Sequence, residues 1–169
     1  MAGQPDSNHL RLLAGLLAAP EADSLAVLTA LADDHAWLRE PVAELSNLGL
    51  PYWQAEHTSL FISNYPKILC PPFESAYRGG APTGELKALY LRAGLETNDI
   101  SPDYLGAMLE CAAYLLEEPK FAGSDLWHEL WDEHLARWVP RFSNDLINVG
   151  SCPLLYRRLG EKLSALFTV

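Results

Sequence analysis

The chain has 169 residues, of which 49% are hydrophobic, and its formal net charge at pH 7 is −10. That length corresponds to one typical domain, and a disordered chain would carry far fewer apolar residues. The negative charge would repel nucleic-acid phosphates and anionic lipids, since both are bound through cationic patches. Composition therefore predicts one soluble, folded domain over residues 1–169, with neither nucleic acid nor membrane as its partner.

The cysteines and the apolar runs indicate a cellular compartment. Cys70, Cys111 and Cys152 are an odd number without a CxxC pair, so neither a disulfide framework nor a zinc site is predicted. No apolar run reaches the roughly 18 residues of a membrane span. The apolar patch near the start follows Asp6 and is interrupted by Arg11, which favours a first helix over a signal peptide. A cytoplasmic protein without an integral membrane segment is expected.

Apolar residues recur with helical spacing along almost the whole chain, and prolines and glycines separate the segments. Helices are predicted over residues 10–17, 25–31, 35–48, 52–64, 83–93, 101–118, 124–139 and 153–166. Ser101 is expected to cap the sixth of these, and Pro140 to kink or end the seventh. No stretch alternates as a strand does, so the fold class is predicted to be all-α, a bundle of seven or eight helices.

One long ordered loop, at about residues 65–82, is predicted between the fourth and fifth helices. It contains CPPFESAYRGG, from Cys70 to Gly80. The two prolines remove backbone donors and disfavour helix, while the paired glycines permit positive φ angles. A loop of this length inside a compact domain tends to be functional.

Signatures of catalysis are missing from the sequence. It contains no GxSxG elbow, no Cys/His nucleophile pattern and no phosphate-binding GxxxxGK[ST], so no catalytic residue and no enzyme activity are predicted. Asp125-x-x-His128 has the spacing of one metal-ligand pair, but one pair cannot build a two-metal cage. No metal ligands and no cofactor are predicted, although an all-α metal or haem protein and a generic helical adaptor both remain alternatives.

A stripe of aromatic residues follows the seventh predicted helix. Trp127, Trp131 and Trp138 share it with His134. Aromatic side chains at helical spacing usually form core, because tryptophan buries so much surface. His134 is accordingly predicted to be a hydrogen-bonded core histidine and not a ligand.

Several short motifs occur in a fixed order along the chain. They are EHTSLF at residues 56–61, PPFESAYR at 71–78, Gly94-Leu95, PDYL at 102–105, and EHL at 133–135 followed by Trp138 and Phe142. In this order they resemble the TorD/DmsD/NarJ family of redox-enzyme maturation chaperones, from about Tyr52 to Phe167. The proline-rich loop is the most specific of them. The sequence departs from the family pattern at Tyr104, where the family usually has His, and at Met108, where it often has Glu.

The resemblance implies an all-helical, non-catalytic chaperone of the cytoplasm. Such proteins bind the twin-arginine signal peptide of a molybdopterin oxidoreductase, its apo catalytic subunit, or both, assist cofactor insertion and delay export. A monomer or a swapped dimer is expected. The implied client-binding residues are Pro71, Pro72, Phe73, Glu74, Ser75, Tyr77, Arg78, Asp103 and Tyr104.

Elementary chemistry offers two readings of these residues. Glu74 and Asp103 beside Phe73 and Tyr77 could bind the guanidinium groups and the apolar stretch of a leader, in a loop that its prolines hold open. Alternatively, Glu74 caps the next helix or pairs with Arg78, the two aromatic side chains fill the core beneath the loop, and Asp103 interacts with a helix dipole.

Overall fold

A computed structural model describes residues 4–80 and 82–168, and these form eight α-helices without a β-strand. The helices are α1 Ser7–Leu16, α2 Ser24–Asp34, α3 Arg39–Leu48, α4 Leu50–Phe61, α5 Pro82–Arg92, α6 Leu105–Glu117, α7 at residues 125–147 and α8 Leu154–Ala165. The predicted all-α class and the predicted number of helices are confirmed. Among the described residues, no helix combines the length and the hydropathy that crossing a membrane requires.

The described residues divide into two compact units. The first unit contains residues 4–18, Pro72–Phe142 and 163–168, and the second contains Ala19–Pro71 and Ser143–Lys162. Each unit therefore combines segments that are distant in the sequence. The single domain over residues 1–169 stays a prediction.

Helix α6 forms the centre of the first unit. Its Leu105, Met108 and Leu109 are completely buried, as are Leu10 and Leu13 of α1, which packs against it. Burying such a side chain contributes about 1.5–3 kcal/mol. Each helix has its apolar residues three and four positions apart, which places them on the face that meets the other helix.

Two ion pairs join the exposed edges of α1 and α6. Arg11 of α1 bonds to Glu117 of α6, with nitrogen–oxygen distances of 3.0 and 2.7 Å, and also contacts Glu110. The hydrogen bond that Arg11 donates to the Glu117 carboxylate raises the pKa of its guanidinium, which thus stays charged. Exposed pairs of this kind contribute little stability compared with the buried leucines of the two helices.

The start of α6 was predicted wrongly. The sequence suggested a cap at Ser101 and a proline in the first turn, but the helix begins at Leu105, after Tyr104 in extended conformation. The physical reason is a competing backbone interaction: Tyr104 pairs with Phe73 of the long loop as an isolated antiparallel bridge. A residue in that bridge cannot also adopt helical dihedral angles.

Helix α7 also differs from its prediction, because it continues through Pro140 to Ile147. It consists of the α-helical turn Asp125–His128, the π-helical stretch Glu129–Leu135 and the α-helix Ala136–Ile147. A proline inside a helix costs about 3 kcal/mol. Pro140 is exposed, whereas Trp138, Val139 and Phe142 are fully buried and together stabilise the helix by more than that.

The second unit contains α2, α3, α4 and most of α8. Trp53 of α4 donates its indole N–H to the hydroxyl of Tyr156 of α8 at 2.9 Å, and the Glu44 carboxylate accepts from the backbone of Leu154 at 2.8 Å. Cys70 is fully buried here, and burial raises the pKa of its thiol to about 12. Cys70 thus remains an unreactive thiol at neutral pH.

Candidate functional site

The loop that the sequence singled out is anchored through its backbone in the first unit. Its residues 72–80 are called the 72–80 loop below. The Leu105 N–H donates to the Pro72 carbonyl at 2.9 Å, and the Glu74 N–H donates to the Asp103 carbonyl at 3.1 Å. The rings of Phe73 and Tyr104 lie beside this bridge, with centroids 5.8 Å apart. The loop is therefore fixed to the segment that precedes α6.

Asp103 makes the second anchor with its side chain. One carboxylate oxygen accepts from the backbone N–H of Ser75 at 2.9 Å, and the other accepts from the hydroxyl of Ser101 at 2.6 Å. The Ser75 N–H belongs to the 3₁₀ turn Glu74–Ala76, so Asp103 caps a turn that is distant from it in sequence. Burial alone would raise the pKa of Asp103, but these hydrogen bonds outweigh burial and lower it.

We predict that the stabilisation provided by Asp103 depends on pH. A lowered folded-state pKa stabilises the fold above the ordinary aspartate pKa of about 3.9, and this contribution is lost as the pH falls through the lowered value. Asp103→Asn should therefore destabilise the protein clearly near neutral pH and much less in acid. Urea unfolding of both proteins at a series of pH values measures this difference.

Asp99→Asn provides the matched control for this prediction. Asp99 is exposed in the same segment, and its substitution should change stability little at any pH. A difference between Asp103→Asn and the wild type that stays constant from neutral to acidic pH would contradict the assignment.

Glu74 makes the third anchor and is the most deeply buried acid of the loop. Its side chain is 0% exposed. Its two carboxylate oxygens lie 3.1 and 3.0 Å from Nδ1 of His134, and one of them accepts from the Arg78 guanidinium at 3.1 Å. The same guanidinium nitrogen donates to the carbonyl of Glu133 at 3.0 Å. Glu74, Arg78 and His134 thus join the loop to the π-helical stretch of α7.

Tyr77 rests on the aromatic core of α7. Its ring stacks on Trp138 at a centroid distance of 5.6 Å and meets Phe142 edge-on at 6.1 Å. The Arg141 guanidinium lies 5.6 Å from the centre of the Tyr77 ring and donates to the Tyr77 carbonyl at 2.8 Å. Tyr77 is therefore a half-buried anchor, as the second reading of the sequence anticipated.

The predicted site residues differ in accessibility. Pro72, Glu74 and Asp103 are buried; Pro71, Phe73, Tyr77, Arg78 and Tyr104 are half-buried; Ser75 is exposed. Pro71 is the last residue of the segment that belongs to the second unit, and the other eight lie in the first unit. The structure brings those eight together within the first unit, around two features. One is the bridge between Phe73 and Tyr104, and the other is the set of partners of Glu74. Their role in client binding stays a prediction.

Sequence reasoning anticipated one partner of the two buried acids and missed the others. The pairing of Glu74 with Arg78 was among the alternatives, and the two side chains lie 3.1 Å apart. His134 was predicted to be a hydrogen-bonded core histidine, which is confirmed, but nothing in the sequence indicated Glu74 as its partner. Ser101 was interpreted as a helix cap, but its hydroxyl instead donates a hydrogen bond to the Asp103 carboxylate. The spacing Ser-x-Asp could have suggested this contact, because short polar side chains often bond to neighbours two residues away.

Comparisons with known proteins identify the family of the chain. The nitrate reductase delta subunit family matches residues 17–144. Chaperone protein YcdY of Escherichia coli strain K12 is 28% identical over 88 residues, which are 52% of this chain and 47% of YcdY. The match therefore spans about half the length of that relative.

A solved structure shows the same fold. It is the crystal structure of an Archaeoglobus fulgidus protein described as a candidate redox enzyme maturation protein, with a TM-score of 0.66 and 24% identity. The superposition covers 94% of this chain and 91% of that one. Because the family match covers most of the sequence, the chain belongs to the nitrate reductase delta subunit family, the NarJ/TorD type that its ordered motifs resemble.

Proposed function

We propose that this chain is a cytoplasmic maturation chaperone for a molybdopterin oxidoreductase. It binds the twin-arginine leader of that enzyme, the apo catalytic subunit, or both, and delays export until the cofactor has been inserted. It does so by binding alone, without catalysing a reaction. The observation that carries the proposal is the conformation of the 72–80 loop. Buried partners fix its backbone, while Ser75 and Ala76, called its exposed edge below, remain accessible.

The anchored loop reduces the cost of binding. A flexible loop would lose conformational freedom when it docks, at about 0.5–1.5 kcal/mol for each immobilised side chain. Here Glu74 and Asp103 have already fixed the backbone through their buried carboxylates. These two acids therefore shape the loop, and the client meets its exposed edge at Ser75 and Ala76 with the half-buried Tyr77 and Arg78.

Two exposed carboxylates close to the partners of the 72–80 loop would accept the guanidinium groups of a leader. Glu85 is 67% exposed in its side chain and lies 3.6 Å from Nε2 of His134. Glu133 is also exposed, and its carbonyl bonds to Arg78. Arginine binds carboxylates through two parallel hydrogen bonds, which favours such pairs at a recognition surface. Glu85 and Glu133 thus take the role that the sequence suggested for Glu74 and Asp103.

Titration with leader peptides tests this proposal. The purified protein is titrated with twin-arginine leaders of molybdopterin oxidoreductases from the same cell, with the same peptides carrying Gln for both arginines, and with the apo catalytic subunits. Saturable binding that weakens on loss of the arginines supports the leader as the ligand. If no leader and no apo subunit binds, the proposed function is wrong.

A bulky side chain on the exposed edge should block docking. Ala76→Trp is expected to weaken client binding by about tenfold or more, a loss of about 1.4 kcal/mol, because the indole occupies the space that the client needs. Calorimetric titration of the variant with the leader or the subunit measures the change.

Ala43→Trp is the matched control, since Ala43 is likewise an exposed alanine but lies on α3 in the second unit. Its affinity should equal that of the wild type. A generic helical adaptor predicts that Ala76→Trp also binds normally, and that result would remove the loop from the proposed site.

A further inference from the structure

Tyr77 already holds a guanidinium group that belongs to the chain itself. The Arg141 guanidinium of α7 lies over the Tyr77 ring, 5.6 Å from its centre, and Nη1 donates to the Tyr77 carbonyl at 2.8 Å. An aromatic face within about 6 Å of the cation and a nearby carbonyl acceptor are both features that bind a guanidinium group. One of the chain's own arginines therefore occupies a place that suits the arginine of a ligand.

Both parts of this place are fixed by the fold. Trp138 is completely buried, and its ring stacks on that of Tyr77 at a centroid distance of 5.6 Å. The Tyr77 N–H donates to the Glu74 carbonyl at 2.9 Å and so closes the 3₁₀ turn. The ring and the carbonyl of Tyr77 are thus oriented before a ligand arrives, which lowers the cost of binding.

The two arginines at the loop are held very differently. Arg78 donates to the fully buried Glu74 carboxylate at 3.1 Å and to the Glu133 carbonyl at 3.0 Å, so it is part of the fold. Arg141 is exposed, and within the described part of the chain it donates one hydrogen bond and forms no ion pair with a carboxylate. A guanidinium group has five N–H donors, so most of those of Arg141 bond to water. A ligand can therefore replace Arg141 at little cost.

We infer that the ring and the carbonyl of Tyr77 form a binding site for one arginine of the client leader, and that Arg141 occupies this site until the leader displaces it. The inference rests on the proposed function and names a contact within it. The leader also touches the exposed edge of the loop, which Arg141 does not, and these added contacts favour the exchange. The second arginine of the leader then meets the exposed carboxylates of Glu85 and Glu133.

Two arginines of α7 provide a matched pair of variants. Arg137 and Arg141 are both exposed and lie about one turn apart, and Arg141 is the one that contacts Tyr77. Arg141→Ala empties the site and should strengthen leader binding by about fivefold, the equivalent of one hydrogen bond. Arg137→Ala removes the same charge but leaves the site occupied, so its affinity should stay within about twofold of the wild type. If Arg141→Ala does not fold, Arg141→Gln replaces it, and circular dichroism verifies folding.

The measurement is a calorimetric titration of the three proteins with a twin-arginine leader and with the same leader carrying Gln for both arginines. Arg141→Ala should bind the first leader more tightly than the other two proteins do, and this gain should be absent with the second leader. The inference is wrong if Arg141→Ala binds the first leader no more tightly than Arg137→Ala does, or if it gains equally with the second.

The same titrations separate this inference from the proposed function. If the wild type binds the leader and Arg141→Ala shows no specific gain, Tyr77 is not the arginine site, while the proposed function stands. The same conclusion follows if the wild type binds the apo subunit but no leader. If it binds neither, both fall.

Discussion

Replacing Glu74 with alanine is expected to lower the free energy of unfolding by about 1–3 kcal/mol, the usual cost of leaving a buried polar group without its hydrogen-bond partner. The carboxylate is fully buried and contacts both His134 and Arg78. Without it, the buried His134 ring loses its Nδ1 partner and the guanidinium loses its contact with the loop. Urea unfolding near neutral pH measures the loss.

Glu85→Ala is the control for this substitution. Glu85 also faces His134, at 3.6 Å, but its side chain is 67% exposed. Its removal should cost no more than about 0.5–1 kcal/mol, as for other exposed pairs. Equal losses for the two variants would mean that Glu74 is not the buried anchor of the loop.

Replacing Trp138 with alanine is expected to lower the free energy of unfolding by about 3–5 kcal/mol and to weaken client binding as well. Trp138 is completely buried, and Tyr77 stacks on it at 5.6 Å. The alanine leaves a cavity in the first unit and removes the surface on which the loop rests. Urea unfolding measures the first effect, and titration with leader or apo subunit under conditions where the variant is folded measures the second.

The conservative variant Trp138→Phe separates packing from a specific contact. It keeps an aromatic ring under Tyr77 and should retain most of the stability and most of the client affinity. If Trp138→Ala binds the client with wild-type affinity although its stability is reduced, client binding by the loop does not depend on the packing of Tyr77 against Trp138.

The helices could be predicted because their signals are local. Periodic leucines and the prolines between segments act within one helix, and they located all eight. Two of the errors in helix boundaries came from tertiary packing. The bridge between Phe73 and Tyr104 delays the start of α6, and buried side chains on either side of Pro140 carry α7 past it. The spacing of apolar residues within one helix predicts neither of these effects.

The candidate site could be predicted in part. The proline and glycine content identified the loop, and the resemblance identified residues that the structure brings together. Sequence patterns could not show that Glu74 and Asp103 are buried, since their partners His134 and Ser75 lie far from them in the sequence.

Hydrogen–deuterium exchange with and without the apo catalytic subunit tests the central claim most directly. The claim is that the client docks on the exposed edge of the anchored 72–80 loop in the first unit. Bound client should slow exchange of the loop amides, while those of α3 in the second unit exchange at their free rate. Slowed exchange confined to residues 19–71 and 143–162, with the loop unchanged, would contradict the claim.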